Sequence, residues 1–155
     1  MKKILFLLGT IVLLATTACR KPQPNMPDFA FLQLNGNVYS RDEVRTDKAT
    51  LFIFFNPGCD HCQAEADSMQ RYMPQFAQHR VVWVAVADVD KMQDFDKQNH
   101  LSQNGMILVR DIDKRAGKWF GIKDVPSSCV YNKDAELVAR ITGTADAKTL
   151  LKALE

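Results

Sequence analysis

The sequence lacks the features that mark several classes of protein. Its 20 basic and 18 acidic residues give a formal charge of only +2, and the Lys and Arg residues are spread along the chain instead of forming a basic stripe. A nucleic-acid partner is therefore not expected. The chain has no internal repeat and no low-complexity block, and its 155 residues have room for one compact domain and a short leader. It also lacks a run of about 20 apolar residues, which a membrane-spanning helix needs.

The start of the chain has the pattern of an export signal. The basic segment Met1-Lys2-Lys3 precedes an apolar run from Ile4 to Ala15, and the small residues Thr16-Thr17-Ala18 follow. Because the apolar run is too short to span a bilayer comfortably, it favours a removable signal over a permanent membrane helix. We therefore expect residues 1–18 to be a signal peptide.

Cys19 follows these small residues and precedes a polar, Pro-rich stretch over residues 20–25. This arrangement resembles the acylation site of bacterial lipoproteins, although Thr16 stands three residues before the cysteine, where such sites usually have Leu. The resemblance implies a lipid on Cys19 and a linker over residues 19–28. It also implies a location in the bacterial cell envelope, anchored to a membrane and facing the periplasm or the outside. Plain secretion without a lipid is the alternative.

Residues 29–155 have the strand and helix patterns of a single α/β domain. Leu51–Phe55 is a continuous apolar run of strand length, which is typical of a central strand covered on both faces. The dipeptide Asn35-Gly36 favours a hairpin turn between strands over 29–34 and 38–40, which adds an edge to the sheet. The other predicted elements are strands over 81–87, 106–109, 127–131 and 137–142, and helices over 60–73, 91–100, 114–120 and from the cap Thr144 to 155. This order predicts a three-layer α/β/α sandwich with a mixed central sheet and an added N-terminal hairpin.

Cys59 and Cys62 lie where the most buried predicted strand gives way to a helix. A thiolate at the start of a helix is stabilised by free backbone N–H groups and by the positive end of the helix dipole, so Cys59 is the predicted nucleophile. Cys62, one helical turn later, is placed to attack the mixed disulfide that Cys59 forms and to release the product. The pair therefore predicts thiol–disulfide exchange.

Further motifs accompany the pair: the strand before it, the segment Gly121–Pro126, the strand and turn over 130–134, and Gly143 before the last helix. In this order they resemble the thioredoxin-fold TlpA/ResA-like thiol–disulfide oxidoreductases over roughly 29–155. The resemblance implies that Pro126 is a cis-proline beside the pair and that the backbone of Val125 meets an incoming substrate chain. No organic cofactor is implied. The implied partners are cysteine-containing exported proteins, a membrane or periplasmic thiol–disulfide donor, and the membrane itself through the lipid anchor.

Three positions depart from the pattern of that family. Gly58 stands where a Trp is common before the first cysteine, which leaves the substrate contacts of this loop open. Ile53 stands where thioredoxins carry a buried acid that moves protons, so the proton acceptor for Cys62 also remains open. Cys129 replaces an apolar residue. We expect it to pack in the core, and the alternative is a third thiol that exchanges with Cys62.

His61, between the two cysteines, is expected to donate a hydrogen bond or a positive charge to the Cys59 thiolate and so make the disulfide more oxidising. The alternative is a solvated histidine with no tuning role. Glu65 and Asp67 are interpreted as residues on the solvent-facing side of the helix. No metal is expected, because His61 lies inside the pair and no second Cys-x-x-Cys exists. A zinc or copper site built from the thiols is the alternative.

The predicted function is electron exchange with cysteines of exported proteins through the Cys59/Cys62 dithiol–disulfide pair, with the direction of electron flow left open. A peroxiredoxin-like peroxidase is an alternative with the same fold, but it needs a threonine three residues before the reactive cysteine, where Asn56 stands. The other alternative is a thioredoxin-like module that binds a partner or holds a metal without catalysis.

Overall fold

The computed structural model describes residues 25–44 and 47–155. The strands in these residues are β1 (Ala30–Gln33), β2 (Val38–Ser40), β3 (Thr50–Phe55), β4 (Arg80–Ala85), β5 (Ile107–Arg110), β6 (Ser127–Tyr131) and β7 (Leu137–Thr142). The α-helices are α1 (Asp60–Met69), α2 (Met73–Phe76), α3 (Val89–Asn99), α4 (Ala116–Phe120) and α5 (Ala147–Leu154). The strands form one sheet in the order β2-β1-β5-β4-β3-β6-β7.

The centre of the sheet is β3, whose six residues are all buried. It pairs in parallel with β4 on one side and antiparallel with β6 on the other, and β4 pairs in parallel with β5. The predicted mixed sheet is therefore confirmed. Because β3, β4 and β5 run in the same direction, the loops that follow them meet at one edge of the sheet.

Helices cover both faces of the sheet. Side chains of α1, α2, α3 and α5 pack against one face in a hydrophobic cluster that includes Leu51, Ile53 and Trp83. The other face carries a second cluster, in which α4 contributes Phe120. The Phe120 ring lies 4.9 Å from Phe52 and 5.0 Å from Phe54, measured between ring centroids. The three layers predicted from the order of the elements are observed.

The N-terminal part of the domain adds to one edge of the sheet, as predicted. Strands β1 and β2 form an antiparallel hairpin, and β1 also pairs antiparallel with β5. Residues before the hairpin pack on the domain as well, although we expected them to belong to the linker. Met26 is buried, and its N–H donates to the carbonyl of Ala135 at 2.7 Å, next to a bridge between Asn25 and Glu136.

The helix boundaries differ from the prediction by a few residues: α3 starts at Val89 and not at residue 91, and α4 starts at Ala116 and not at residue 114. Two further differences have a clear physical reason. The helix expected over 60–73 ends as an α-helix at Met69 and continues as a tighter 3₁₀ turn to Tyr72. Pro74 explains the break, because its ring clashes with the carbonyl four residues earlier and it has no N–H to donate. The last helix is capped by Asp146 and not by Thr144: the Asp146 carboxylate accepts the N–H of Thr149 at 2.8 Å.

The predicted signal peptide and Cys19 lie outside the described residues. Within residues 25–44 and 47–155, no helix is both long enough and apolar enough to cross a membrane.

Candidate active site

Cys59 is the N-cap residue of α1, and Cys62 lies in the first turn of that helix. The backbone N–H of Cys62 donates to the Sγ atom of Cys59 at 3.4 Å. Both residues carry free thiols, but their exposure differs: Cys59 is half-buried and Cys62 is fully buried. An incoming disulfide therefore meets the sulfur of Cys59 first.

The loop before the pair is held by Asn56. Its side-chain oxygen accepts the N–H of Gly58 at 2.9 Å, and its carbonyl accepts the N–H of Cys59 at 3.0 Å. A side-chain amide that bonds the backbone two residues later is a common way to close a tight turn. The turn places Cys59 directly beyond the carboxyl end of β3. A Cβ atom added to Gly58 would meet only the Asn56 oxygen, at 3.6 Å.

The environment of Cys62 strongly favours the neutral thiol. Burial, the hydrogen bond with Cys59 and the nearby charges of Cys59 and Glu65 together raise the pKa of Cys62 to about 12. A neutral Cys62 thiol does not compete with Cys59 for the first attack on a substrate disulfide, because the thiolate is the nucleophile.

Glu65, three residues after Cys62 on α1, is 1% exposed, so the interpretation of this residue as solvent-facing is wrong. Its Oε2 atom accepts the N–H of Ala145 at 2.9 Å, whereas Oε1 has no hydrogen-bond partner in the described part of the chain. Burial raises the pKa of Glu65 to about 7, against smaller lowering contributions from the Ala145 N–H and the Ser128 hydroxyl. Asp67 is exposed, as expected. The sequence carried one signal for the burial of Glu65, which is its spacing from Cys62. Residues three apart on a helix share one face.

The Val125–Pro126 peptide bond is cis, as the family resemblance implies. Phe54, near the end of β3, pairs with Ser127, so Val125 and Pro126 lie at the same edge of the sheet as the Cys59 loop. Pro126 is buried, whereas Val125 is 42% exposed and lines a cavity together with Asn56.

The structure separates Cys129 from the pair. Cys129 is buried in the cluster on the α4 side of the sheet, whereas Cys62 belongs to the cluster on the α1 side. Burial raises the pKa of the Cys129 thiol, and a neighbouring Arg140 offsets part of this effect. The expectation of core packing is confirmed, and a direct exchange with Cys62 is not compatible with this position.

His61 is exposed on the first turn of α1, and no hydrogen bond joins it to the Cys59 sulfur in the described residues. Its tuning role stays a prediction. Within the same residues, no group of three or more His, Cys, Asp or Glu side chains is arranged to hold a metal ion.

The sheet order, the helices on both faces and the Cys-x-x-Cys pair at the start of α1 define a thioredoxin-fold protein. Residues 42–155 match the family model of the thioredoxin-like domain, and the chain belongs to this family. The predicted thioredoxin-like α/β fold is thereby confirmed.

Two curated relatives are the thiol-disulfide oxidoreductases ResA of Bacillus thuringiensis (strain Al Hakam) and of Bacillus anthracis. Each is 25% identical to this chain over 119 residues, which cover 76% of this chain and 67% of the relative. Among solved structures, MTB dsbF superposes with a TM-score of 0.73 at 20% identity, covering 85% of this chain and 96% of that one. StoA from Bacillus subtilis gives 0.67 at 22% identity, covering 85% of this chain and all (100%) of that one. These structural similarities are evidence for the fold alone.

Proposed function

We propose that this protein is a thiol–disulfide oxidoreductase that exchanges electrons with cysteines of exported proteins through Cys59 and Cys62. The observation that carries the proposal is the unequal placement of the two thiols. The half-buried Cys59 accepts a backbone N–H at the start of a helix, and the fully buried Cys62 lies one turn behind it. Similarity to the ResA oxidoreductases supports the same activity.

In the reducing direction, the Cys59 thiolate attacks one sulfur of a substrate disulfide. A bond forms between Cys59 and that sulfur, and the second substrate sulfur leaves as a thiolate that takes up a proton. The N–H of Cys62, at 3.4 Å from the Cys59 sulfur, and the dipole of α1 stabilise the negative charge before the attack. The oxidising direction is the reverse of these steps, and His61 is proposed to shift the balance toward it by favouring the thiolate.

Cys62 then resolves the mixed disulfide. Once the sulfur of Cys59 is bonded to the substrate, neither its hydrogen bond nor its charge acts on Cys62, and two of the causes that raise the pKa of Cys62 disappear. Glu65 takes the proton through its free Oε1 atom. The Cys62 thiolate attacks Cys59, the substrate thiolate leaves, and the protein ends as the Cys59–Cys62 disulfide with the substrate reduced by two electrons.

Val125 and Pro126 are proposed to form one wall of the substrate groove, with the exposed Val125 contacting the substrate chain. Cys19 is the proposed site of a lipid that holds the protein in the cell envelope, where a membrane or periplasmic thiol–disulfide donor renews the pair. The similarity to ResA supports an envelope location.

The test is a redox titration of the full chain in detergent, using glutathione or dithiothreitol buffers and counting free thiols by gel shift after alkylation. We expect one two-electron transition that Cys59→Ser and Cys62→Ser each abolish and that Cys129→Ser retains, because Cys129 lies on the other face of the sheet. Cys62→Ser should also accumulate a mixed disulfide with substrate. A pair that stays oxidised or stays reduced across all buffers would overturn the proposal in favour of a binding module.

A further inference from the structure

A cavity opens beside the active-site loop, at the carboxyl ends of β3 and β4. Its volume is about 390 Å³, and Asn56, Val86, Ile122 and Val125 are among its lining residues. This volume lies in the range of pockets that accept side chains or small ligands. Asn56 belongs to the loop that leads to Cys59, since its carbonyl accepts the N–H of Cys59, and this residue links the cavity to the active-site loop.

Exposed apolar side chains are concentrated around this edge of the sheet. Of the five large hydrophobic side chains that are exposed in the described residues, Val86, Ile112 and Val125 line the cavities at the carboxyl ends of the parallel strands. They are exposed by 51%, 57% and 42%. A cluster of exposed apolar side chains next to a pocket is typical of an interaction site.

A second cavity of about 390 Å³ continues from the first along the ends of β4 and β5, and the two share the lining residues Asn56, Val86, Asp111 and Lys114. Basic side chains line this part: Lys91 and Lys114 are exposed, and Arg110 is half-buried. We call the two cavities together the groove.

Acidic side chains only partly offset this charge. Asp111 is buried, and its two oxygens accept the backbone N–H groups of Arg115 and Ala116 at 2.9 and 2.7 Å. Asp88 is the exposed acid in the lining of the groove. The exposed side chains therefore give this end of the groove an excess of positive charge.

We propose that the groove binds an extended segment of the substrate polypeptide, with a large apolar side chain beside the reacting cysteine and an acidic side chain farther along. The apolar side chain enters the cavity between Val86 and Val125, and the acidic one meets Lys91 and Lys114. This inference rests on the proposed function and names the class of substrate that its active site selects. The groove is continuous with the Cys59 loop, so one chain reaches both.

The probe is a set of four peptide compositions, each made in both chain directions, in which one cysteine forms a mixed disulfide with 5-thio-2-nitrobenzoate. Leu or Ser stands next to the cysteine, and Glu or Lys stands farther along. Attack of Cys59 on the peptide sulfur forms the protein–peptide disulfide, breaks the probe disulfide and releases the coloured thiolate, whose absorbance gives the rate. Cys62 then displaces the peptide thiol.

With the reduced full chain in detergent, we expect the Leu peptide to react about tenfold faster than the Ser peptide, as for an apolar side chain entering a pocket. The Glu peptide should react about fivefold faster than the Lys peptide at low salt, and this ratio should approach one as salt screens the charges. Val86→Ser should remove the Leu preference, and Lys91→Glu should remove or reverse the Glu preference. Each ratio compares two peptides on the same protein, so a loss of folded material cancels.

The matched controls are Val138→Ser, an exposed valine on β7, and Lys133→Glu, an exposed lysine at the other end of the sheet. Both should keep the ratios of the unaltered protein. Equal rates for all four peptides, or ratios that the control variants change as much as the groove variants do, would overturn the groove and leave the proposed function standing. A protein that reacts with none of the peptides and with no small disulfide would overturn the proposed function itself.

Discussion

Glu65 is a carboxyl group enclosed by protein on every side. The Ala145 N–H that bonds it lies 80 residues away in the chain, and its second oxygen is free of hydrogen bonds within the described residues. A buried carboxylate with one open acceptor is costly in its charged form, which is why burial raises the pKa of Glu65 to about 7. At neutral pH such a group exchanges a proton readily with a neighbour, and Cys62 shares its helix face.

Replacing Glu65 with Gln should slow the resolving step and change its pH dependence. In the unaltered protein, release of the substrate from the Cys59 mixed disulfide should speed up as pH rises through about 7, because the ionised carboxylate is the proton acceptor. The variant should lose this inflection and react on the order of a hundredfold more slowly near pH 7. Quenching with an alkylating reagent at successive times measures the mixed disulfide. Asp67→Asn, on the exposed side of the same helix, is the control, and identical profiles for both variants would contradict the role of Glu65.

The same substitution should change how stability depends on pH. The folded-state pKa of Glu65, about 7, lies above the ordinary value of 4.5, so the folded protein binds this proton more tightly than the unfolded chain does. The resulting stabilisation is complete below pH 4.5 and is lost as pH rises to about 7. The free energy of unfolding of Glu65→Gln, relative to the unaltered protein, should therefore increase between pH 4.5 and pH 8 by at most about 3 kcal/mol. Urea unfolding at both pH values measures this difference. If the free energies of unfolding of the two proteins changed in parallel with pH, the prediction would be wrong.

The difference between Cys59 and Glu65 shows which part of the site could be predicted from the sequence. Cys59, Cys62 and the turn before them are neighbours in the chain, so spacing and the following helix were sufficient to place them. The burial of Glu65 depends instead on a loop just before the last helix, and no local pattern around Glu65 reports that contact. The spacing from Cys62 could therefore suggest a shared helix face, but the full burial of Glu65, on which its proposed role as proton acceptor depends, could be recognised only from the contact between α1 and residue 145.

Helix α4 supports one wall of the groove, and Gly121 ends it. Gly121 has φ +67°, which side chains rarely adopt, and a Cβ atom there would lie 2.9 Å from the guanidinium of Arg140. The positive φ favours glycine at this helix end, whereas the guanidinium of Arg140 is the end of a flexible side chain and can move away. Phe120, the residue before it, packs among the rings of the second cluster, so a displaced helix end disturbs that face of the core.

Gly121→Ala should destabilise the protein by about 1 kcal/mol, because alanine has a higher energy in the left-handed conformation. The matched control is Gly58→Ala, where φ is not positive and the added Cβ atom finds ordinary contact distances. Its stability should stay within about 0.5 kcal/mol of the unaltered protein. Urea unfolding midpoints of the two variants, measured under reducing conditions, provide the comparison. Equal midpoints would mean that the Gly121 conformation is not restrictive.

Elements with a complete local signal were predicted close to their observed limits. The strands over 127–131 and 137–142 match β6 and β7. The turn residues between them mark the end of β6 and the start of β7. The start of α5 was predicted wrongly, since Thr144 and Asp146 are both acceptable caps by type. A cap at Thr144 would accept the N–H of residue 146 or 147, but the N–H of Ala147 is bonded to the Ser68 hydroxyl on α1 at 3.1 Å, a tertiary contact that the local sequence does not report.

The candidate active site and the point where the chain enters the domain lie at opposite ends of the sheet. The Cys59 loop, Val125 and the groove lie at the carboxyl edge of the parallel strands. Met26 and Asn25 bind instead to the turn between β6 and β7, at the opposite edge, where the chain enters the domain. Asn25 lies six positions after Cys19, and six residue steps span at most about 21 Å when the chain is fully extended. A lipid on Cys19 would therefore keep the entry end nearer to the membrane than the active site.

This arrangement predicts the orientation of the lipidated protein on a bilayer. Two proteins each carry one fluorescent label. The first is labelled on Cys59 and contains Cys62→Ser and Cys129→Ser. The second is labelled on the cysteine of Lys133→Cys and contains Cys59→Ser, Cys62→Ser and Cys129→Ser. In vesicles with spin-labelled headgroups, the label at position 133 should be quenched more strongly, because its turn is at the entry end of the domain, whereas Cys59 lies at the opposite end. The same comparison on protein that begins at Arg20, without residues 1–19, should show no quenching at either position, since neither the lipid nor the apolar run over 4–15 then holds the domain to the surface. Stronger quenching at Cys59 than at position 133 would show that the active site is turned toward the membrane, and the partner that renews the pair would then have to present its thiols at the lipid surface.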